Sequence, residues 1–141
     1  MLKVSLRKVL RSDWDYILKL RNVSKFRTFF YDQHTITKKE HYKYLQQQKN
    51  NKHFFNWIIC YGNTNAGYLR VLDNDVSIII DAKYQNKGIG SKALRLLENE
   101  AKKLGIKKLI GRVMIHNKKS ARIFERNGYK LIMYWYEKKI T

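Results

Sequence analysis

Gly88 and Gly90 stand one residue apart in "YQNKGIGSKAL" (84–94), in a chain of 141 residues that contains only 7 glycines. The apolar run "VSIII" (76–80) precedes them, and the helix-like stretch "SKALRLLENEAKKLG" (91–105) follows. A strand, a bare loop and a helix start in succession form an anion site. The first-turn amides of a helix have no internal partners and carry the positive end of its dipole. Glycine at 88 and 90 lets a pyrophosphate approach those amides with no Cβ in the way. The competing reading is a tight turn that needs positive φ at one of the two positions. No G-x-x-x-x-G-K-S/T run is present, which argues against a P-loop nucleotidase. A dinucleotide fold is disfavoured as well. The loop lies mid-chain after a hairpin of strands, with no acidic residue about 20 positions on at a strand end.

The elements that must hold this loop can be read from periodicity. "LKVSLRKV" alternates as a short strand, and "SDWDYILKLRN" reads as a helix capped by Ser12 or Asp13, with Trp14, Ile17 and Leu18 on one face. Thr37 and Glu40 have capping-box spacing and start a second helix from Lys38. "FFNWIICY" and "AGYLRVL" are strands joined by the turn "GNTN", and 76–80 is a further strand. In the helix after the loop, Leu94, Leu97, Ala101 and Leu104 make the apolar stripe, and Gly105 suits the position after its end. "KKLIGRVMI" reads as a strand, "NKKSARIFERNG" as a short helix with Asn117 at its N-cap and Ser120 at N3, and "YKLIMYWYEKK" as a last strand. The order β-α-α-β-β-β-α-β-α-β predicts a mixed sheet with packed helices, an α/β or α+β domain spanning 1–141.

Composition sets the outer limits. Aromatic residues at 13% and apolar residues at 44% argue against disorder. No apolar stretch has bilayer-spanning length, and "MLKVSLRKVLRSDWD" lacks the uninterrupted apolar region of a signal peptide, so a cytoplasmic protein is expected. The single cysteine, Cys60, can form neither an internal disulfide nor a metal cluster, and reads as a small apolar residue in a buried strand. With 30 Lys+Arg against 11 Asp+Glu, the net charge is +19. Such a surface attracts phosphorylated ligands. The lysines are nevertheless spread along the chain, alongside abundant Asn, Ile and Tyr and no proline, so compositional bias explains the charge equally well.

"QNKGIG" (85–90) resembles the Gln/Arg-x-x-Gly-x-Gly/Ala acetyl-CoA loop of the GNAT N-acetyltransferase superfamily. "NKKSARIFERNGYK" (117–130) is similar to that family's Asn-x-x-Ser/Ala-x-x-x-Tyr/Phe-Glu-x-x-Gly-Phe/Tyr segment, one helix and one strand downstream. The resemblance implies a GNAT fold: a mixed, mostly antiparallel sheet of six to seven strands, splayed at its centre and flanked by about four helices. It also implies acetyl-CoA as co-substrate, no metal, and a monomer or homodimer. The amides of Gln85, Asn86, Lys87, Gly88, Ile89, Gly90 and Ser91 would cradle the coenzyme pyrophosphate. The backbone of Ile78, Ile79 and Ile80 would pair with the pantetheine arm, as an added strand does at a sheet edge. A bulge would part this strand from the next, and its amides would polarise the thioester carbonyl. Asn117, Ser120 and Phe124 would complete the cofactor contacts, although Asn117 and Ser120 read equally as helix-capping residues.

Phe124 departs from the family, which often carries tyrosine there to protonate the leaving thiolate. Either Tyr129, Tyr134 or water takes its place, or the thiolate leaves unaided. Direct transfer needs a neutral amine, and Asp75 and Ser77 occupy positions where relatives place a water-linked base. They read otherwise as turn and strand polar residues.

"LRNVSKFRTFFYDQHTITKKEH" (20–41) resembles a segment of GNAT enzymes acting on nucleotide-linked amino sugars, of the pseudaminic acid pathway type. That implies Arg27, Phe30, Tyr31, His34 and His41 facing a UDP- or dTDP-amino sugar. Arginine pairs with a diphosphate and aromatic rings stack on uracil. His41 also shares a helical face with Tyr44 and Leu45, the pattern of a core histidine. The alternative substrate is a protein N-terminus, as in ribosomal-protein acetyltransferases. A nucleic-acid module without chemistry is the least supported reading.

Overall fold

The computed structural model describes residues 2–23, 26 and 29–141. Its elements run β1 (Val4–Lys8), α1 (Trp14–Asn22), α2 (Lys38–Gln48), β2 (Phe54–Tyr61), β3 (Thr64–Leu72), β4 (Asp75–Ile80), α3 (Ile89–Lys103), β5 (Ile110–Gly111) and α4 (Lys118–Arg126). The five strands form one sheet in the order β1-β2-β3-β4-β5. The first three pairings are antiparallel and β4–β5 is parallel, so the mixed sheet expected from the element order is present.

Helices cover both faces, which explains why β2 and β3 read as almost continuously apolar. Trp57 and Ile59 face α3 with Leu69, Val71, Val76, Leu94 and Leu97, while Ile58 and Cys60 face α1 and α2 with Tyr68, Ile79, Trp14, Ile17, Leu20 and Leu45. Period-two alternation thus splits one apolar run between two cores. Thr37 caps α2 as expected, its hydroxyl oxygen accepting from Glu40 N at 3.2 Å. Asp13 does not cap α1. Its carboxylate instead accepts from Leu10 N at 2.7 Å and from the Arg7 guanidinium at 2.8 and 2.9 Å, tying β1 to the entry of the helix. At the end of α3, Gly105 adopts φ 74° and Ile106 N reaches Ala101 O at 2.9 Å, a left-handed helix stop. Leu104 sits at the cap, outside the apolar stripe and 43% exposed.

Two strand expectations are corrected. The run 107–115 contributes only Ile110–Gly111 to the sheet. There is no room for a Cβ at Gly111, where one would lie 2.7 Å from Phe124 Cε1. The Phe124 ring therefore presses on the backbone at the point where β5 leaves β4. The last segment, 129–139, is not a strand: five strands are present among the described residues rather than six or seven. Leu131, Ile132, Met133, Tyr134, Trp135 and Tyr136 are all well exposed there. A β5 ladder of two residues offers almost nothing for a further strand to extend. No helix among the described residues is long and apolar enough to cross a membrane.

Candidate active site

The two glycines of the loop do different work. Gly88 is the N-cap of α3 at φ 74°, ψ 11°, a left-handed conformation that costs an L side chain about 1–2 kcal/mol. No atom lies within 4 Å of where its Cβ would stand, and no side chain caps this helix end. The cradle is therefore open and its first-turn amides face the opening. Gly90 instead lies buried inside the first turn, where a Cβ would meet Ile123 Cδ1 at 3.3 Å and Ile80 Cγ1 at 3.6 Å. It lets α3 sit close to β4 and α4. The turn reading thus holds at 88 together with the open approach, and packing explains 90.

Side chains around the loop brace it. Gln85 Nε2 donates to Ile80 O at 3.1 Å, joining the loop to the end of β4. Asn86, at φ 63°, accepts from Lys119 Nζ at 2.6 Å, and Ser91 Oγ accepts from Asn127 Nδ2 at 3.0 Å. Lys87 projects into solvent, and Ile89 is 1% exposed, so only the backbone of Ile89 can meet a ligand. Asn117 caps α4, its Oδ1 accepting from Ser120 N at 3.2 Å, as the capping reading required.

The strands part as they leave this region. β4 pairs with β3 along its length, from Leu72↔Asp75 to Gly67↔Ile80, but with β5 only at Asp75↔Ile110 and Val76↔Gly111. From Ser77 to Ile80 the outer edge of β4 has no strand partner among the described residues. The register break recorded in the sheet lies between β2 and β3, at Ile59/Cys60, so the parting of β4 and β5 needs no bulge in β4. Along β4, Ile79 faces the α1 side and Val76, Ile78 and Ile80 the α3 side. By the same alternation Asp75 and Ser77 belong to the α1 side. Asp75 lies at the closed end of the fork, held by Arg112 at 3.0 and 3.4 Å and more loosely by Arg70 at 3.5 Å.

Tyr129 stands apart from that pair. It packs with the α3-side core, its ring edge-on to Phe124 at 4.8 Å between centroids. Its hydroxyl is buried without a hydrogen-bond partner among the described residues. Burial, reinforced by the charge of Glu98, pushes its pKa up to about 12. Phe124 is 6% exposed within the same core, so its contact with any cofactor is limited to the ring edge left by that packing.

Of the residues expected to face an acceptor, Arg27 lies outside the described residues. His41 is a core histidine: it is 3% exposed, and Nε2–H donates to Trp14 O at 2.8 Å, pinning α2 to the start of α1. The expectation that it faces a ligand is therefore corrected. Phe30 is half-buried under the Arg21 guanidinium, 5.1 Å from its ring centroid. Tyr31 is 71% exposed and its hydroxyl donates to Glu137 at 2.6 Å. His34 is bound to Asp32, which raises its pKa, and its other nitrogen lies 3.7 Å from Glu40. Phe29 stacks on His116 at 5.4 Å, so the loop after α1 reaches across to the chain beyond β5. Sequence reasoning missed Arg21, Arg70 and Arg112. A charged residue inside the apolar strand "GYLRVL" was the available signal for Arg70.

Residues 3–130 match the acetyltransferase (GNAT) domain family. The chain belongs to that family. The GNAT fold therefore holds, with five strands and four helices among the described residues in place of the larger sheet expected. Among its relatives is an uncharacterised protein of Methanocaldococcus jannaschii, 26% identical over 91% of this chain and 28% of the relative. A putative phosphinothricin acetyltransferase of Bacillus subtilis is 40% identical over 39% of this chain and 34% of its own length. The chain thus spans about a third or less of the curated relatives it matches. The fold is shared with spermidine N-acetyltransferase of Vibrio cholerae, solved with CoA and spermine, at TM-score 0.80 and 18% identity over 89% of this chain and 79% of that one. It is shared equally with the ribosomal L7/L12 alpha-N-protein acetyltransferase RimL, solved with coenzyme A, at TM-score 0.79 and 19% identity over 92% and 81%.

Proposed function

We propose that this GNAT domain is an acetyl-CoA-dependent N-acetyltransferase that transfers acetyl directly to the amine of a nucleotide-linked amino sugar. The observation that carries the donor half is the parting of β4 from β5 directly after Val76↔Gly111, on a strand that leads into an uncapped helix end with open space at Gly88. That open space fits a pyrophosphate, and the unpaired edge at Ser77–Ile80 fits an amide-bearing arm. Bound there, acetyl-CoA supplies an activated acyl thioester.

The protein's own groups do the rest. Amides of residues 85–91 hold the diphosphate, with Asn117 and Ser120 at the near end of α4. Backbone groups of Ile78, Ile79 and Ile80 align the arm, and amides beside the fork take the charge that develops on the acyl oxygen. Asp75, with Ser77 on the same face, accepts the amine proton through water. Tyr129, kept protonated by its burial, supplies the proton for the departing sulfur.

For the acceptor half, support comes from the aromatic and basic residues after α1. Phe30 lies under Arg21, and Tyr31 and His34 are exposed beside it, a surface suited to a base ring and phosphates. The net charge of +19 draws phosphorylated ligands to it. A protein N-terminus is the second reading, favoured by the fold shared with RimL. Thermal shift separates the two: with acetyl-CoA present, UDP or a UDP-amino sugar raises Tm for the first, and only an acidic peptide does so for the second. No shift with acetyl-CoA itself overturns the donor half.

A further inference from the structure

Arg21 has no ion-pair partner among the described residues, although it is half-buried. Burial, and then the charge of a second arginine, Arg70, lower its pKa, with Asp32 opposing more weakly. A guanidinium keeps its charge regardless, so two cations share this place. The favourable interaction of Arg21 with the C-terminal end of α1 explains a cation there, but it calls for neither burial nor a cationic neighbour. Desolvated charges are normally paired, and an unpaired one is costly. Its Cζ lies 5.1 Å from the Phe30 ring, and stacking of this kind leaves the in-plane N–H donors available.

Arg70 is similarly under-satisfied. Its side chain is 15% exposed and its one ion pair, to Asp75, is long at 3.5 Å, because Asp75 is already held by Arg112 at 3.0 and 3.4 Å. In register, Arg70 lies opposite Ser77 on β4 and Asn56 on β2, on the same face of the sheet as Asp75. It also lines a cleft of about 320 Å³ together with Leu72, Asp73, Asp75, Ile110 and Arg112. Arg70 and Arg112 therefore flank the Asp75 carboxylate, and Arg21 adds a further positive charge toward Arg70 from α1, on the face proposed to admit the acceptor amine.

We infer that Arg21 and Arg70 form an anion subsite in the acceptor cleft, which binds a phosphoryl or carboxylate group of the acceptor and so sets its amine beside Asp75. This rests on the acceptor entering from the α1 face, as in the reading above. The subsite selects acidic acceptors over polyamines, since a cationic acceptor adds like charge beside Arg21 and Arg70.

The test is calorimetry on protein saturated with coenzyme A, so that the loop at Gly88 is filled and cannot take the probe. UDP, inorganic pyrophosphate and glutarate are titrated separately into wild type, Arg21→Met, Arg70→Met and Arg21→Lys. At least one anion binds the wild type, and each Met variant weakens it by about tenfold or more, the worth of a charge-assisted hydrogen bond. Arg21→Lys recovers only part of the loss, because it lacks the planar fork. Coenzyme A affinity stays unchanged in all variants. Tighter binding of UDP or pyrophosphate makes the acceptor group a phosphate, and tighter binding of glutarate makes it a carboxylate. If no anion binds, or binding survives both Met variants, the inference fails while the donor-site reading stands. If coenzyme A does not bind, the donor reading fails, and the same titrations without it still decide the subsite.

Discussion

Arg112 grips Asp75 with two guanidinium contacts, 3.0 Å from Nε and 3.4 Å from Nη2, at the residue pair where β4 and β5 cease to run together. The same carboxylate is the proposed base, so one residue joins the strands and is assigned the proton transfer. The two roles separate on substitution. Asp75→Asn keeps the side-chain shape but cannot accept a proton, so kcat falls by about 10²-fold if proton transfer runs through it. Arg112→Gln removes the tether and leaves the carboxylate, and is expected to keep kcat within about threefold, since an exposed ion pair contributes little. Steady-state kinetics on both variants decides. Equal losses in the two would reduce Asp75 to a strand tether.

Tyr129 carries a hydroxyl buried without a partner, an arrangement that costs stability unless something else is obtained from it. Tyr129→Phe removes the unsatisfied group, so Tm is expected to hold or rise. If the hydroxyl protonates the leaving sulfur, kcat falls at least about tenfold in the same variant. With its pKa pushed up to about 12, the wild-type phenol keeps its proton through neutral and mildly basic pH. It therefore adds no break to a pH–rate profile below pH 10. As the unfolded phenol ionises first, its contribution to stability is complete below 10 and is lost as pH rises from 10 through 12. Unchanged kcat in Tyr129→Phe would remove Tyr129 from the reaction.

His41 is expected to behave as a core residue. His41→Phe leaves the buried carbonyl of Trp14 without its donor, which costs about 1–3 kcal/mol and lowers Tm, while KM for the acceptor is unchanged. Burial, the larger influence, lowers its pKa below the ordinary 6.5. An unfolded His41 takes up its proton first on acidification, so the contribution is present above 6.5 and is lost as pH falls below it. Denaturant melts at pH 7.5 and 5.5 show the difference, and it disappears in the Phe variant. A changed KM with unchanged Tm would return His41 to the acceptor site.

Much of the architecture was legible because it rests on local signals. The Thr37–Glu40 box, the apolar strand run "FFNWIICY", and the helix stop at Gly105 each report a short-range constraint. The loop at 85–91 was legible for the same reason, since a glycine pair before an amphipathic helix has few uses. What could not be read depends on distance. The ring of Phe124 bearing on Gly111 ends β5 after two residues, and no pattern within 107–115 records that contact. Residues 131–136 form a continuous apolar run, yet composition cannot say whether a neighbouring strand is in reach. His41 sits on a helical face that is buried by α1, and the arginines of the proposed acceptor cleft come from α1, β3 and the chain after β5. Only the folded register puts them together.

Gly88 offers the most direct test of the donor site, because its conformation and its openness make separable demands. Alanine at φ 74° is strained by about 1–2 kcal/mol, so Gly88→Ala lowers Tm modestly even though nothing crowds the new methyl group. That methyl enters the space proposed for the pyrophosphate, so coenzyme A affinity is expected to drop by about tenfold or more. Gly90→Ala is the control. It gains helix propensity of up to about 1 kcal/mol against a contact of 3.3 Å with Ile123, and leaves stability close to wild type. Its methyl points into packing between α3, β4 and α4 rather than toward the opening, so coenzyme affinity changes little. Calorimetry on the two variants therefore separates the readings: only Gly88→Ala loses coenzyme affinity if the cradle holds, and neither does if strain alone is at work. If Gly88→Ala binds coenzyme A as wild type does while still losing stability, the residue serves only the turn, and the anion cradle at the head of α3 is refuted.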